Sequence, residues 1–145
     1  MEEKQLYLAL TNILQSTKKE IINWRLEGSA NLFVQGIPIV PADLDITTNK
    51  DGLMKFEKAL QRYSPKKVFN EKIKCDTLKC KIAEVEVEII ARDEQDQLMM
   101  LDKVRPILWS RLALPCLPLE HAKTFYSLIQ RPEKVELIDN FLNQR

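Results

Sequence analysis

The chain has 145 residues, of which 45% are hydrophobic and 30% charged, and its formal net charge is only +1. This composition excludes a disordered chain, and the balanced charge argues against a protein that binds polyanions over its whole surface. No apolar run approaches the roughly 20 residues of a membrane-spanning helix, and the N-terminus lacks the pattern of a signal peptide. We therefore predict one domain, residues 1–145, that is cytoplasmic and has no membrane partner.

The first half of the chain predicts alternating helices and strands. Residues 2–18 carry an apolar stripe at the spacing of an amphipathic helix. The short apolar run 21–27 predicts a strand that ends in a turn at Gly28-Ser29, and 30–35 is expected to form a short helix. After a loop punctuated by prolines, 43–48 alternates polar and apolar residues as a strand does.

The middle of the chain predicts a helix followed by a hairpin. Apolar residues at helical spacing favour a helix over 49–62, and a strand is expected over 66–69. The runs 78–82 and 85–89 both alternate, but they are out of phase with each other. A turn or bulge must therefore lie near Ala83-Glu84.

The last third predicts a strand over 108–114 and two helices over 119–130 and 133–142. Helices interspersed with a small mixed sheet indicate an α/β (α+β) domain. We expect residues 1–90 to form its catalytic core and residues 91–145 a mostly helical C-terminal extension.

Cysteine and histidine are too sparse for several kinds of site. The three cysteines, Cys75, Cys80 and Cys116, cannot all pair, and His121 is the only histidine. A zinc site needs more ligands than these residues offer. We expect reduced thiols, and a structural or surface position for His121.

Two aspartates on a predicted strand are the first candidate site. Asp43 and Asp45 lie two residues apart, so both side chains point to one face with their Cα atoms about 6–7 Å apart. Two such carboxylates repel each other unless a cation lies between them, and Mg²⁺ is a hard cation that takes carboxylate and phosphate oxygens. A third carboxylate would come from the run Glu84-Val-Glu-Val-Glu88 if that strand is adjacent. Three carboxylates are suited to a two-metal site for phosphoryl displacement.

The turn Gly28-Ser29 ends one predicted strand and begins a helix. Free N–H groups at such a helix start, with a hydroxyl beside them, are suited to nucleotide phosphates. Arg25, just before the turn, is a candidate phosphate contact at the pocket rim. Taken singly, these features are typical of solvated strand faces and ordinary turns. Their order along the chain predicts metal-assisted transfer from a nucleoside triphosphate.

The same motifs resemble a known family. The runs Trp24–Leu32 (WRLEGSANL), Gln35–Pro38 (QGIP) and Ala42–Ile46 (ADLDI) are similar to the nucleotidyltransferase superfamily that includes DNA polymerase beta. Small bacterial and archaeal nucleotidyltransferase-like proteins, among which abortive-infection toxins fall, are the most similar group. The runs Leu114–His121 and Arg131–Val135 resemble the helical tail of those proteins.

This resemblance implies a mixed sheet flanked by helices and a set of site residues. Gly28 and Ser29 would hold the triphosphate. Asp43 and Asp45 would ligate Mg²⁺, with Mn²⁺ as the alternative ion. The third acid would lie in a strand of the pattern apolar-acid-apolar-apolar.

Glu88 fits that pattern best, and Glu86 is the alternative. In the implied reaction Glu88 helps an acceptor hydroxyl to attack the α-phosphorus, and pyrophosphate leaves. The chain departs from the family in two respects. The third acid is glutamate where aspartate is commoner, and the tail has only Lys123, about two turns before Arg131, where relatives often carry a closer lysine.

The acceptor stays open among an RNA end, a protein and a small molecule, and a partner protein or a homodimer would complete so small an enzyme. Lysines that an RNA acceptor could contact occur at positions 66, 67, 72, 74, 79 and 81. The alternative is a non-catalytic nucleotide-binding or antitoxin-like interaction protein that retains the fold. A metal-dependent nuclease ranks below both, because Glu86 and Glu88 occupy the positions where its strand needs a lysine.

Overall fold

The computed structural model describes residues 1–144 of the chain. Its helices and strands are, in order, α1 (Glu3–Thr17), β1 (Trp24–Glu27), α2 (Gly28–Val34), β2 (Leu44–Thr48), α3 (Lys50–Ala59), β3 (Lys66–Asn70), β4 (Cys75–Ile82), β5 (Val85–Ala91), β6 (Arg105–Trp109), β7 (Leu112–Cys116), α4 (Leu119–Leu128) and α5 (Pro132–Asn143). Two single turns of 3₁₀ helix, Gln61–Tyr63 and Leu101–Lys103, complete the regular structure. No helix in this range has the length and apolar character needed to cross a membrane.

Five strands form one mixed sheet in the order β1-β2-β5-β4-β3. Strands β2 and β5 run parallel, and the other neighbours are antiparallel. Strands β6 and β7 form a separate antiparallel hairpin. The predicted fold class, a small mixed sheet flanked by helices with a helical C-terminus, is confirmed.

The sheet has two chemically different faces. The face that carries Leu26, Ile46 and Ile89, which we call the helix face, packs against the apolar stripes of α1 and α3 in the main core. Leu6 and Phe56 are fully buried there. Alternate residues on the same strands point the other way, and we call that side the cleft face.

A two-residue turn joins β4 to β5. Ile82 and Val85 are directly paired, and both turn residues have positive φ, 53° for Ala83 and 67° for Glu84. Two successive residues of positive φ make the type I′ turn that suits the twist of a hairpin. The change of phase predicted from the alternating runs is confirmed as this turn.

The strand predicted over 108–114 is two strands. Ser110 and Arg111 both have positive φ, 47° and 69°, so the chain reverses inside that run and pairs Trp109 with Leu112. The run carries no glycine, asparagine or aspartate at the turn, and its apolar residues continue on both sides. Periodicity alone therefore could not separate the two strands.

Helices α4 and α5 cross part of the cleft face. Phe125 and Tyr126 of α4 are buried, and Ile138 of α5 joins them in a second apolar cluster with Leu32 and Ile37. The guanidinium of Arg25, on β1, lies 5.4 Å from the centre of the Phe125 ring. The two helices, here called the tail, lie over the β1–β2 end of the sheet. On the cleft face of β3 and β4, Cys75 and Thr77 are still buried, whereas Lys66, Val68 and Lys79 are exposed.

Candidate active site

A cleft of about 600 Å³ separates the cleft face of the sheet from the tail. Its lining includes the acidic residues Glu27, Asp45 and Glu88, the basic residues Arg92, Arg131 and Lys134, and the apolar residues Ile39, Val40, Ile73, Ile90, Leu98, Phe125 and Ile129. Gly28 and Ser29 form one end of it. Most of the residues predicted to bind nucleotide or metal therefore meet at a single place.

Three carboxylates form a row across the floor of the cleft. Asp45 on β2 is paired with Glu27 on β1 and with Glu88 on β5. Directly paired residues on adjacent strands point to the same face, with their side chains about 5 Å apart. The sheet register therefore brings three negative charges side by side.

Asp45, in the middle of this row, has a raised pKa. Loss of solvent on burial, then the negative charges of Glu27, Glu88 and Asp43, raises the pKa of Asp45 from 3.8 to about 7. Both causes disfavour the charged form of the carboxyl. A cation beside Asp45 would relieve both.

Asp43 lies just outside the row. It is an exposed residue one position before β2, rather than the first residue of the strand as predicted. Its charge is still close enough to contribute to the raised pKa of Asp45. Asp43 therefore lies at the edge of the cleft and Asp45 at its floor.

The two candidates for the third acid have different surroundings. Glu88 is partly buried and lines the cleft beside Asp45. Glu86, two residues earlier, is exposed and forms an ion pair with Lys81 at 3.5 Å. The register of β5 therefore brings Glu88, and not Glu86, to Asp45.

The donor set is of the type that a hard divalent cation takes, because every candidate ligand is a carboxylate oxygen. The unrelieved repulsion at Asp45 fits such an ion chemically. Within residues 1–144, no three histidine, cysteine, aspartate or glutamate side chains converge closely enough to enclose a metal. The chemical type of these ligands therefore suits a divalent cation, but the carboxylates do not converge on a single point.

The backbone of Gly28 lies very close to the side chain of Asp45. Its φ is +69°, and a Cβ added there would lie 3.0 Å from Oδ2 of Asp45. Only glycine combines that backbone conformation with so close an approach. The next residue, Ser29, accepts a hydrogen bond at 3.1 Å from the backbone N–H of Ala42, which fastens the proline loop beside the cleft.

Arg25 is not at the pocket rim as predicted. Its side chain is fully buried, and its guanidinium donates to the backbone carbonyls of Met99 at 3.0 Å and Leu98 at 2.8 Å. Burial lowers its pKa to about 10. The physical reason is that the backbone carbonyls of residues 98 and 99 lie beside β1 and accept the hydrogen bonds that Arg25 was expected to donate to phosphate.

Glu27 and Arg92 form a buried network that the sequence did not reveal. The Glu27 carboxylate accepts from Oγ1 of Thr47 at 2.6 Å and from Nη2 of Arg92 at 3.2 Å. Arg92 also contacts Asp96 at 3.5 Å, while its buried Nε has no partner within residues 1–144. No local pattern marks Arg92, because it is simply the residue after β5.

The far wall of the cleft carries two cationic residues. Arg131 precedes α5 and Lys134 lies in its first turn, and both line the cleft. Nε of Arg131 donates to the carboxylate of Glu133, so only its Nη atoms are available to a ligand. Lys123, the only lysine upstream of Arg131 in α4, forms an ion pair with Asp139 instead. Arg131 and Lys134 belong to the run Arg131–Val135, which resembles the helical tail of the family. The sequence therefore marked this segment but did not indicate that its cationic residues face the carboxylates.

Tyr126 lies between the two walls. Burial, then the nearby charge of Glu27, raises the pKa of its hydroxyl to about 12. It therefore stays protonated and can donate a hydrogen bond into the cleft.

No protein-family model matches the sequence, and no curated protein matches it. The fold does match solved structures. A presumed nucleotidyltransferase from Thermotoga maritima (TM1012) is 25% identical, with a TM-score of 0.78 over 100% of this chain and 97% of that one. The lincosamide antibiotic adenylyltransferase LnuA, in its lincomycin-bound form, is 15% identical, with a TM-score of 0.65 over 96% and 97% of the two chains.

The antibiotic-resistance factor ANT(2″)-Ia has a TM-score of 0.66 at 11% identity, over 98% of this chain and 86% of that one. At these low identities, the matches to LnuA and ANT(2″)-Ia show a shared fold and nothing more. The match to TM1012, at 25% identity over the whole chain, supports a relationship of this chain to the nucleotidyltransferase superfamily.

Proposed function

We propose that this protein is a nucleotidyltransferase that uses a divalent metal ion to move a nucleoside monophosphate from a nucleoside triphosphate to a hydroxyl acceptor. The observation that carries the proposal is the Asp45 carboxyl, held between Glu27 and Glu88 beneath the Gly28-Ser29 turn, with its pKa raised to about 7. The fold match to nucleotidyltransferases supports the same conclusion.

Asp45 and Glu88, with Asp43 at the edge of the cleft, would hold the metal ion, Mg²⁺ or Mn²⁺. Such an ion neutralises phosphate charge and stabilises the attacking and leaving oxygens of an in-line displacement. Glu27 has a different role, because its carboxylate is already engaged by Thr47 and Arg92. It adds negative charge next to Asp45 without being free to turn toward a ligand.

The triphosphate would lie between the two walls. The Gly28-Ser29 turn would bind it on one side, while Arg131 and Lys134 would bind it on the other. The two cationic side chains take the place of the tail lysine that this chain lacks. Arg25 is left out of this set because its donors are used inside the protein.

The chemical step needs a base and a leaving group. Glu88 accepts the proton of the acceptor hydroxyl, whose oxygen forms a bond to the α-phosphorus. The bond between the α-phosphorus and the oxygen bridging to the β-phosphorus breaks, and pyrophosphate leaves. Arg131 and Lys134 stabilise the negative charge that develops on the leaving group.

Thermal melting with Mg²⁺ and each of the four nucleoside triphosphates tests the proposal. A ligand present at about 100 times its Kd stabilises the folded state by about 2.7 kcal/mol, which raises Tm by about 5–10 °C for a chain of this size. We expect such a shift with at least one triphosphate, dependent on Mg²⁺ and lost in Asp45→Asn. Asp102→Asn, which removes an exposed carboxylate in a 3₁₀ turn, is the matched control and should retain the shift.

Two results would contradict the proposal. A full Mg²⁺-dependent shift in Asp45→Asn would mean that the metal and nucleotide bind elsewhere. The absence of a shift with every triphosphate at millimolar concentration would favour an interaction protein that retains the fold without binding nucleotide.

A further inference from the structure

We propose that the acceptor is the 3′ end of a single-stranded RNA, whose phosphates lie on Lys66 and Lys79 along the uncovered part of the cleft face. The inference rests on the proposed function, because it identifies the acceptor of that reaction.

Across the sheet, the row of paired acidic residues is followed by paired basic residues. Glu88 on β5 is paired with Lys79 on β4, and Lys79 is paired with Lys66 on β3. Directly paired residues share a face, so both lysines point to the side of the sheet that carries Asp45 and Glu88. With strands about 4.8 Å apart, the lysine backbones lie about 5 and 10 Å beyond Glu88.

Both lysines carry charge that the protein itself does not neutralise. Lys66 and Lys79 are exposed, and neither forms an ion pair with any residue from 1 to 144. Lys81, the next lysine on the same face, is paired with Glu86 at 3.5 Å. Of the three lysines on this face of β3 and β4, Lys66 and Lys79 are therefore the two without an ion-pair partner among residues 1–144.

The hairpin formed by β3 and β4 concentrates positive charge. Residues 66–82 contain six lysines and only two acidic residues, Glu71 and Asp76, although the whole chain has a net charge of +1. A local field of this sign attracts a polyanion and repels a polycation. An acceptor that reaches Glu88 across this hairpin is therefore expected to be anionic.

A continuous path leads from the cleft onto the hairpin. Asn70 lines the cleft at one end of β3, and Val68 and Lys66 follow on the same face of the strand. Val68 is 44% exposed, so sugars or bases have an apolar contact between the cleft and Lys66. Lys66, at the far end of this path, is exposed as well.

The same path has no aromatic platform. Phe69, the exposed aromatic residue of β3, lies on the opposite side of that strand because its neighbours Val68 and Asn70 face the cleft side. Contacts along this surface are therefore mainly to phosphate, which positions a strand without reading its sequence. The RNA would be selected by its free 3′ hydroxyl and its charge.

Fluorescence anisotropy with a labelled single-stranded RNA of about 12 nucleotides, a length within common single-strand site sizes, tests the inference. The variant Lys66→Gln/Lys79→Gln is compared with the wild type between about 50 and 200 mM salt. The matched control is Lys18→Gln/Lys19→Gln, which removes the same charge from two exposed lysines at the end of α1, on the helix face.

We expect the Lys66→Gln/Lys79→Gln variant to bind the RNA about tenfold more weakly at low salt. The slope of log K against log salt should fall by about 1.4, which corresponds to two lost phosphate contacts on a single strand. The control should stay within about twofold of the wild type. The Mg²⁺-triphosphate melting shift should be unchanged in both variants, since neither changes a residue assigned to nucleotide binding.

Equal weakening in the two variants, or no RNA binding by the wild type, would overturn the inference. Displacement of the RNA by polyglutamate at equal charge would also overturn it, because the surface would then fit an acidic protein segment. The two failures can be told apart. A lysine-dependent RNA affinity without any triphosphate shift would refute the proposed function and leave an RNA-binding surface with no transfer reaction. A triphosphate shift with lysine-independent RNA binding would refute the acceptor alone.

Discussion

At the floor of the cleft, the Asp45 carboxyl loses solvent when the chain folds and meets the charges of Glu27, Glu88 and Asp43. In the unfolded chain its pKa is 3.8, and in the folded protein it is about 7. The folded state therefore binds the proton more tightly than the unfolded state does. Its contribution to stability is complete below about pH 4 and is lost as the pH rises through 7.

Because the folded state binds this proton more tightly, the stability of Asp45→Asn relative to the wild type should depend on pH. Without divalent metal at about pH 8, the variant should be more stable than the wild type by about 1–2 kcal/mol, because the amide carries no charge to repel. That difference corresponds to a rise in Tm of about 2–8 °C. Thermal melting at a series of pH values measures it.

The difference between the two proteins should shrink toward zero as the pH falls to about 4, where the wild-type carboxyl is protonated. Asp102→Asn, which changes an exposed carboxylate, should follow the wild type at every pH. A wild type more stable than Asp45→Asn at about pH 8 would mean that Asp45 is not under the repulsion inferred from its surroundings.

At the scale of elements, the β4–β5 hairpin carries both the proposed base and the nearest lysine. Its turn decides which residues of β5 face the cleft, because a shift of one residue would turn Glu88 away from Asp45. The turn residues Ala83 and Glu84 both have positive φ, which neither side chain favours. The hairpin register is therefore held by the pairing of its strands against an unfavourable turn.

Replacing the turn with Ala83→Asn/Glu84→Gly should stabilise the protein by about 1 kcal/mol, because asparagine followed by glycine suits a type I′ turn. Tm should rise by about 2–4 °C. The opposite change, Glu84→Val, should lower Tm, since a β-branched residue adopts positive φ at a cost. An asparagine-glycine variant that melts below the wild type would contradict the turn type, and the triphosphate shift should be the same in all of these proteins.

At the scale of the whole molecule, the cleft exists because the tail crosses the sheet. The chain must return from β7 over the cleft face before Arg131 and Lys134 can oppose Asp45 and Glu88. The cleft has a volume of about 600 Å³, with carboxylates on one wall and cationic side chains on the other. This arrangement suits a ligand that carries both metal-bound and free phosphate oxygens.

The variant Arg131→Gln/Lys134→Gln should therefore weaken binding of the Mg²⁺-triphosphate about tenfold, because two charge-assisted contacts are lost. The unliganded Tm should stay within about 3 °C of the wild type, since surface substitutions change stability little. Titration calorimetry gives the Kd, and Lys18→Gln/Lys19→Gln controls for the change in net charge. An unchanged Kd in the tail variant would remove the tail from the nucleotide site.

The sequence by itself determined the local features of this protein. Hydrophobic period, glycine and turn chemistry depend on neighbouring residues, so the order of most elements, the turn at Ala83-Glu84 and the proximity of Gly28 to a strand end could be predicted. The resemblance of the glycine-serine and aspartate motifs also indicated the fold that the structural neighbours share. The sequence did not predict β6 and β7 as separate strands, because the turn between them carries no residue typical of a turn.

Only the tertiary structure decided which of the candidate residues meet. Arg25 is buried because its donors find carbonyls 73 and 74 residues away, and no periodicity encodes such a distance. The choice between Glu88 and Glu86, the network of Glu27 with Arg92, and the arrival of Arg131 at the far wall likewise depend on strand register and chain return. These are long-range consequences of burying apolar surface in one core, and they are fixed by the packing of the whole chain rather than by any short segment.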